Sequence, residues 1–159
     1  MKALFCRGML TAAVACLTIG SASLAQAESC SNASLNGKYG QTISGELLPA
    51  PGVILPQNGV AMTYFDGNGG LTQEDYVVIN GEPTAPGLQS ETGTYTVNSN
   101  CIGTATFHYL DGGEIVLQLV VVNHGSEFRT VVSKLTMGGK VVPVNIGSSG
   151  VRVDDADRK

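Results

Sequence analysis

From Leu35 onward, runs of β-branched and aromatic residues are interrupted at short intervals by clusters of Gly, Asn and Asp, and this punctuation restricts the fold more than any other feature. The clusters are Asp66-Gly67-Asn68-Gly69-Gly70, Asn98-Ser99-Asn100, Asp111-Gly112-Gly113, His124-Gly125 and Met137-Gly138-Gly139. Residues of these types tolerate positive φ and form tight hairpins. Connections this short cannot carry the crossovers that parallel neighbours need, so the strands are antiparallel and in up-and-down order. No segment after the first 27 residues shows a 3.6-residue period flanked by caps. The spacing predicts an all-β sandwich or barrel of about eight strands, over 37–47, 60–66, 71–80, 93–98, 102–110, 114–123, 127–135 and 140–146.

Alternation within these runs separates two faces. Ile115, Leu117, Leu119 and Val121 share one face and are the expected core, while Val116, Val120 and Val122 imply partial cover on the other. Ala105, Phe107 and Tyr109 oppose Thr104, Thr106 and His108, which places His108 on the polar side. The segments 48–58 and 81–91 contain Pro49, Pro51, Pro56, Pro83 and Pro86 and are expected to be irregular loops over an open end, because proline has no N–H for a central ladder. A mobile tail is expected after residue 147.

The first 27 residues read as a secretory signal: Lys2 and Arg7, an apolar run from Met9 to Ile19, then Ala25-Gln26-Ala27. Ala13-Val14-Ala15 before Cys16 departs from the lipoprotein box, where a leucine usually stands at the place of Ala13, so cleavage after Ala27 is expected. This divides the chain into a signal (1–27), a barrel domain (28–147) and a tail (148–159), with a secreted or periplasmic destination. Cys6 and Cys16 would leave with the signal, and Cys30 and Cys101 are expected to form one disulfide in an oxidising compartment. No later stretch approaches the ~20 apolar residues of a spanning helix. Loss of Lys2 and Arg7 makes the chain two units more negative than its full-length −4, and the remaining cations are scattered. Nucleic acid is therefore not an expected partner, since phosphate binding needs clustered cations.

No motif fixes a chemistry. His108 and His124 are the only histidines, and no Gly-x-Ser-x-Gly elbow accompanies them. Asp66-Gly67-Asn68 opens like a calcium loop, but Leu71 and Val77 stand where that loop needs Gly and Glu. Adjacent Glu74 and Asp75 point to opposite faces and cannot form a facing carboxylate pair; Glu82, Glu91 and Glu114 are the other acids available. Asp75 shares its face with Leu71, Val77 and Ile79, and burial there would raise its pKa. Asn32-Ala33-Ser34 satisfies a glycosylation sequon that matters only in a eukaryotic secretory pathway. No catalytic residue, metal ligand or cofactor is assigned.

Residues 30–40 and 92–106, with the 66–70 turn, resemble a pattern in small exported bacterial β-barrel proteins of unassigned function, which are similar to calycin barrels such as lipocalins and the allene oxide cyclase-like barrel. The resemblance implies a closed, calycin-like, antiparallel up-and-down barrel. This chain has Gly37-Lys38-Tyr39 where lipocalins carry Gly-x-Trp, and it has no tryptophan. An eight-stranded barrel can fill its interior or hold one small ligand. Three functions stay open: a binder of a small apolar or amphipathic ligand, an envelope or extracellular interaction protein with a filled barrel, and a cyclase- or isomerase-like enzyme. Pocket candidates are Tyr64, Tyr76, Tyr95, Phe107, Tyr109 and Phe128, as aromatics that line apolar sites, together with Asp75; core packing is the competing role for the aromatics. Nothing indicates an oligomeric state.

Overall fold

In a computed structural model that describes residues 29–109 and 112–153, ten strands form one antiparallel sheet that closes on itself. They are β1 (Asn36–Ala50), β2 (Val53–Asp66), β3 (Gly70–Ile79), β4 (Glu82–Pro83), β5 (Gln89–Val97), β6 (Ile102–His108), β7 (Glu114–Val122), β8 (Glu127–Met137), β9 (Lys140–Val141) and β10 (Val144–Arg152). The two-residue β4 and β9 only flank β3 and β8. The long strands pair in sequence, and β10 closes the ring by pairing with both β8 and β1. This is the expected all-β barrel of eight antiparallel strands. Closure leaves no long unpaired edge.

The expected boundaries are corrected in three places. The strand read over 140–146 is two strands, and β10 runs on to Arg152, so residues 148–152 belong to the barrel rather than to a tail. Gly147-Ser148-Ser149-Gly150 has weak strand propensity, which concealed this. Small residues are required there: a Cβ on Gly150 would fall on the ring of its cross-strand partner Phe128. Residues 1–27, expected as signal, and 154–159 lie outside the described residues.

The second correction concerns the loop expected over 48–58, of which 48–50 end β1 and 53–58 open β2, with Pro56 opposite Glu46 of β1. The Pro56 carbonyl accepts from Asn80 N at 2.7 Å and so faces the β3 side, and its missing N–H faces the same way. The ladder with β3 begins only at Gln57, so no partner is lost there. Third, β5 starts at Gln89 rather than near residue 93, while 84–88 remain a loop as expected. A bulge at Ser133, between the pairs Val116/Lys134 and Leu117/Val132, shifts the phase of β8 so that Leu135 joins Val132 and Phe128 on the inner face.

One end of the barrel is packed solid. Phe65 sits among three other rings, its centroid 5.4 Å from Tyr39, 4.9 Å from Tyr95 and 5.5 Å from Phe128. Leu71, Phe107, Leu119 and Val121 complete this floor. The segment from Cys30 to Leu35, including a 3-10 turn at Asn32–Ser34, straps across the end and buries Leu35 completely. Asn32 Oδ1 accepts from Val97 N at 2.7 Å, and Tyr95 Oη lies 2.9 Å and 2.8 Å from the carbonyl oxygens of Asn32 and Leu35. The side chain of the sequon asparagine is thus part of the strap. The Cys30–Cys101 disulfide, spanning 71 residues with Cα atoms 5.0 Å apart, fastens the strap to the β5–β6 turn. Tyr39 donates to Gly125 O at 2.5 Å and accepts from Arg152 Nη2 at 2.7 Å.

Candidate functional site

Above this floor the interior is not filled. A cavity of about 540 Å³ opens toward the other end, where Leu47, Leu135 and Ile146 form a second apolar cluster. Its existence follows from inward positions that carry medium-sized aliphatic or polar side chains instead of rings. Ile43, Val77, Ile79, Ile115, Leu117 and Val132 make the walls, and Thr84 and Ala85 of the β4–β5 loop stand at the mouth. Among the described residues no helix is long and apolar enough to cross a membrane.

One wall is polar, and register explains why. Gln73 on β3 faces Thr63 on β2 and Glu91 on β5, while Asp75 lies one pleat further along β3, diagonal to Glu91. Gln41 of β1 is diagonal to Thr63 in the same way, since Tyr39 pairs with Thr63 and Gln41 with Ala61. Every one of these side chains is in phase with the core residues of its strand, so all converge inside. Thr63, Gln73, Asp75 and Glu91 are each at most 8% exposed.

The hydrogen bonds have a direction. Ser148 Oγ, 2.7 Å from Thr130 Oγ1, donates to Gln41 Oε1 at 3.3 Å. Gln41 Nε2 donates to Gln73 Oε1 at 2.6 Å, and Thr63 Oγ1 donates to the same oxygen at 2.8 Å. With its oxygen occupied, Gln73 must turn Nε2 toward the acids, reaching Asp75 Oδ2 at 3.2 Å and Glu91 Oε2 at 3.4 Å. The Tyr109 hydroxyl also bonds to Glu91. The network therefore ends on two carboxylates held about one amide nitrogen.

Burial raises the pKa of Glu91 to about 7, helped by the neighbouring charge of Asp75 and opposed by the Tyr109 hydrogen bond. Burial also raises that of Asp75, against the hydrogen bond from Gln73. Among the described residues no lysine or arginine lines the cavity to offset either charge. Because the folded pKa of Glu91 lies above its ordinary value, the stability tied to its neutral form is complete below about pH 4.5 and is lost as pH rises through about 7. Glu91→Gln should therefore melt with the parent protein near pH 4.5 and well above it at pH 8.5. The gain should be on the order of 2 kcal/mol, less than the full worth of the shift because cavity water screens the charge. Parallel melting curves at the two pH values check this, and an equal difference at both would contradict it.

The sequence-predicted pocket residues divide by position. Phe107, Tyr109 and Asp75 line the cavity. Tyr95 and Phe128 are buried in the floor. Tyr64 and Tyr76 are corrected: their strand phase is that of the outer face, and Tyr64 is 45% exposed. His108 is exposed at the cavity rim, and His124 is exposed at positive φ in a turn away from it. Asp66 Oδ1 accepts from the amides of Asn68, Gly69 and Gly70 at 2.7–2.9 Å, so that turn is built around its own carboxylate. Those backbone bonds lower its pKa.

Gln41, Thr63, Gln73, Thr130 and Ser148 are not singled out from sequence, and Glu91 is named there only as an available acid. A usable signal was present: each is a polar residue in phase with core positions, as in Tyr39-x-Gln41-x-Ile43, Ala61-x-Thr63-x-Phe65 and Phe128-x-Thr130-x-Val132.

No protein-family model matches the sequence, and neither does any curated protein. Among solved structures, the S-type phycobiliprotein lyase CPES from Guillardia theta is similar, with a TM-score of 0.50 at 10% identity over 78% of this chain and 91% of the lyase chain. At that identity the likeness is one of fold. The chain is a calycin-like antiparallel barrel, closed by the strand after β9 and strapped at one end by a disulfide.

Proposed function

We propose that this protein is an exported carrier or receptor for one small amphipathic molecule held in the barrel cavity. The observation that carries the reading is the division of the interior into a solid aromatic floor and a cavity with apolar walls and a single polar face. That combination, a few hundred Å³ with a small set of convergent polar groups, is what ligand sites generally present. A filled-barrel interaction protein would have no use for it. The ligand's apolar body would lie against Ile43, Val77, Ile115, Leu117 and Val132, and its polar end at Asp75 and Glu91. The disulfide suits an oxidising compartment, and with the basic, apolar and Ala-x-Ala segments of the first 27 residues it supports a secreted or periplasmic setting.

Native mass spectrometry of the protein purified from its own host, followed by denaturation, tests this. A stoichiometric small-molecule adduct is expected. An apo mass, together with no uptake of any neutral or charged amphiphile in vitro, would overturn the reading.

A cyclase- or isomerase-like enzyme in the same barrel is favoured by one observation: Glu91, buried with a pKa near neutrality, suits proton transfer to or from a bound molecule. Recovery of two interconverting isomers from the purified protein would select that reading.

A further inference from the structure

We propose that the ligand of the cavity is an organic cation, specifically a primary or secondary ammonium group on an apolar body. This rests on the ligand-binding reading above and names the chemistry of the ligand. The argument begins with the direction of the network. Ser148, Gln41, Thr63 and Gln73 all donate toward Asp75 and Glu91, and Tyr109 bonds to Glu91. Two carboxylates are thus the terminal acceptors of one polar wall.

Their needs are not met by protein groups. Asp75 is 7% exposed and uses one oxygen on Gln73, while its other oxygen has no partner among the described residues. Asp75 lines the cavity, to which its second oxygen is open. Buried carboxylates ordinarily come paired with a cation. Among the described residues no arginine or lysine lines the cavity, and three are committed elsewhere: Arg152 at the closed end on Tyr39, Arg129 on Glu127, and Lys134 on Glu114, the last two outside the barrel. At pH 8, where both acids are ionised, their counter-charge would come from what enters the cavity.

The chemistry of that cation is narrowed by the surroundings. A hard divalent ion takes six or more oxygen ligands, and among the described residues no three His, Cys, Asp or Glu side chains come together. A quaternary ammonium has no N–H for the open oxygen of Asp75, and it is usually held in an aromatic cage, whereas among the described lining residues the rings are those of Phe107 and Tyr109 with His108 at the rim. A primary ammonium offers three donors, enough for Asp75 and Glu91 together. The aliphatic walls and the 540 Å³ volume then accommodate a chain or ring system behind it.

The test is calorimetric binding at pH 8 of four probes of equal chain length: decylamine, decyltrimethylammonium, decanol and decanoate. Charge-assisted hydrogen bonds to two acceptors predict that decylamine binds about 10- to 100-fold more tightly than decanol. Decyltrimethylammonium should fall between them, and decanoate should bind least. In Asp75→Asn/Glu91→Gln, which removes buried charge and leaves the outer acids in place, decylamine should weaken to the level of decanol while decanol is unchanged. Equal affinities for amine and alcohol in the parent protein would overturn the cation assignment while leaving the cavity as a binding site. An amine preference that survives in the double variant would assign it to the outer acidic surface and overturn the proposal. Failure of all four probes to bind would overturn this proposal and weigh against the ligand-binding reading as well.

Discussion

Phe65→Ala should lower stability by about 4 kcal/mol and the melting temperature by roughly 15 °C, the largest effect expected of any single substitution here. The ring contacts Tyr39, Tyr95 and Phe128 at once, two of these at nearly perpendicular interplanar angles of 89° and 83°, so truncation leaves a void bounded by three rings that cannot all collapse into it. Each edge-to-face contact adds about 0.5–1.5 kcal/mol beyond burial. The neighbouring Tyr64 provides the control, because it points outward and is 45% exposed. Tyr64→Ala should change stability by less than about 1 kcal/mol. Thermal or urea unfolding of the two variants reads strand phase directly. Similar losses for both would mean that the assignment of inner and outer faces on β2 is wrong.

A Cys30→Ser/Cys101→Ser variant should lose a similar amount, about 4 kcal/mol in the chain-entropy model for a closure of 71 residues. Its effect should be concentrated at the closed end, because the disulfide holds the strap that covers Leu35 and the aromatic floor. Opening of the strap would also release the bonds from Val97 N to Asn32 and from Tyr95 to Asn32 and Leu35. The variant should therefore melt some 12–16 °C lower and show faster amide exchange at Val97 than at the mid-sheet positions of β2 and β3. An unchanged melting temperature on reduction would remove the disulfide from any structural account.

How much of this was legible in the sequence depends on which physical signal carried it. The barrel followed from turn chemistry and alternation, which act locally: the Asp66–Gly70, Asn98–Asn100 and Gly138–Gly139 connections and the Ile115-x-Leu117-x-Leu119-x-Val121 face are all found where expected. The closing strand is legible only as far as Ile146, because the strand character of its remainder is conferred by its neighbours. Gly147-Ser148-Ser149-Gly150 has little intrinsic preference for extended structure, and its small residues are needed because Phe128 lies against Gly150. Proline's lack of an N–H argues against a central strand at Pro56, but only the side that N–H would face matters, and that side faces past the end of β3.

The site was half visible. Asp75 could be found because a carboxylate among Leu71, Val77 and Ile79 breaks the pattern of its own strand. Glu91 could not be assigned with it, since their proximity depends on the β3–β5 register across the 80–88 connection. Tyr64 and Tyr76 were selected for being aromatic, yet strand phase outranks residue type in deciding what reaches a barrel interior, and the phase set by Thr63/Phe65 and by Asp75/Val77 sends both outward.

The central claim is that the cavity, and no surface patch, receives the ligand. Methyl-resolved NMR of the folded protein titrated with decylamine tests it most directly. The account predicts saturable shifts at the inward methyls of Ile43, Val77, Ile115, Leu117 and Val132, with Val60, Val120, Val131 and Val151 on the outer face unmoved. Shifts confined to the outer valines would contradict it.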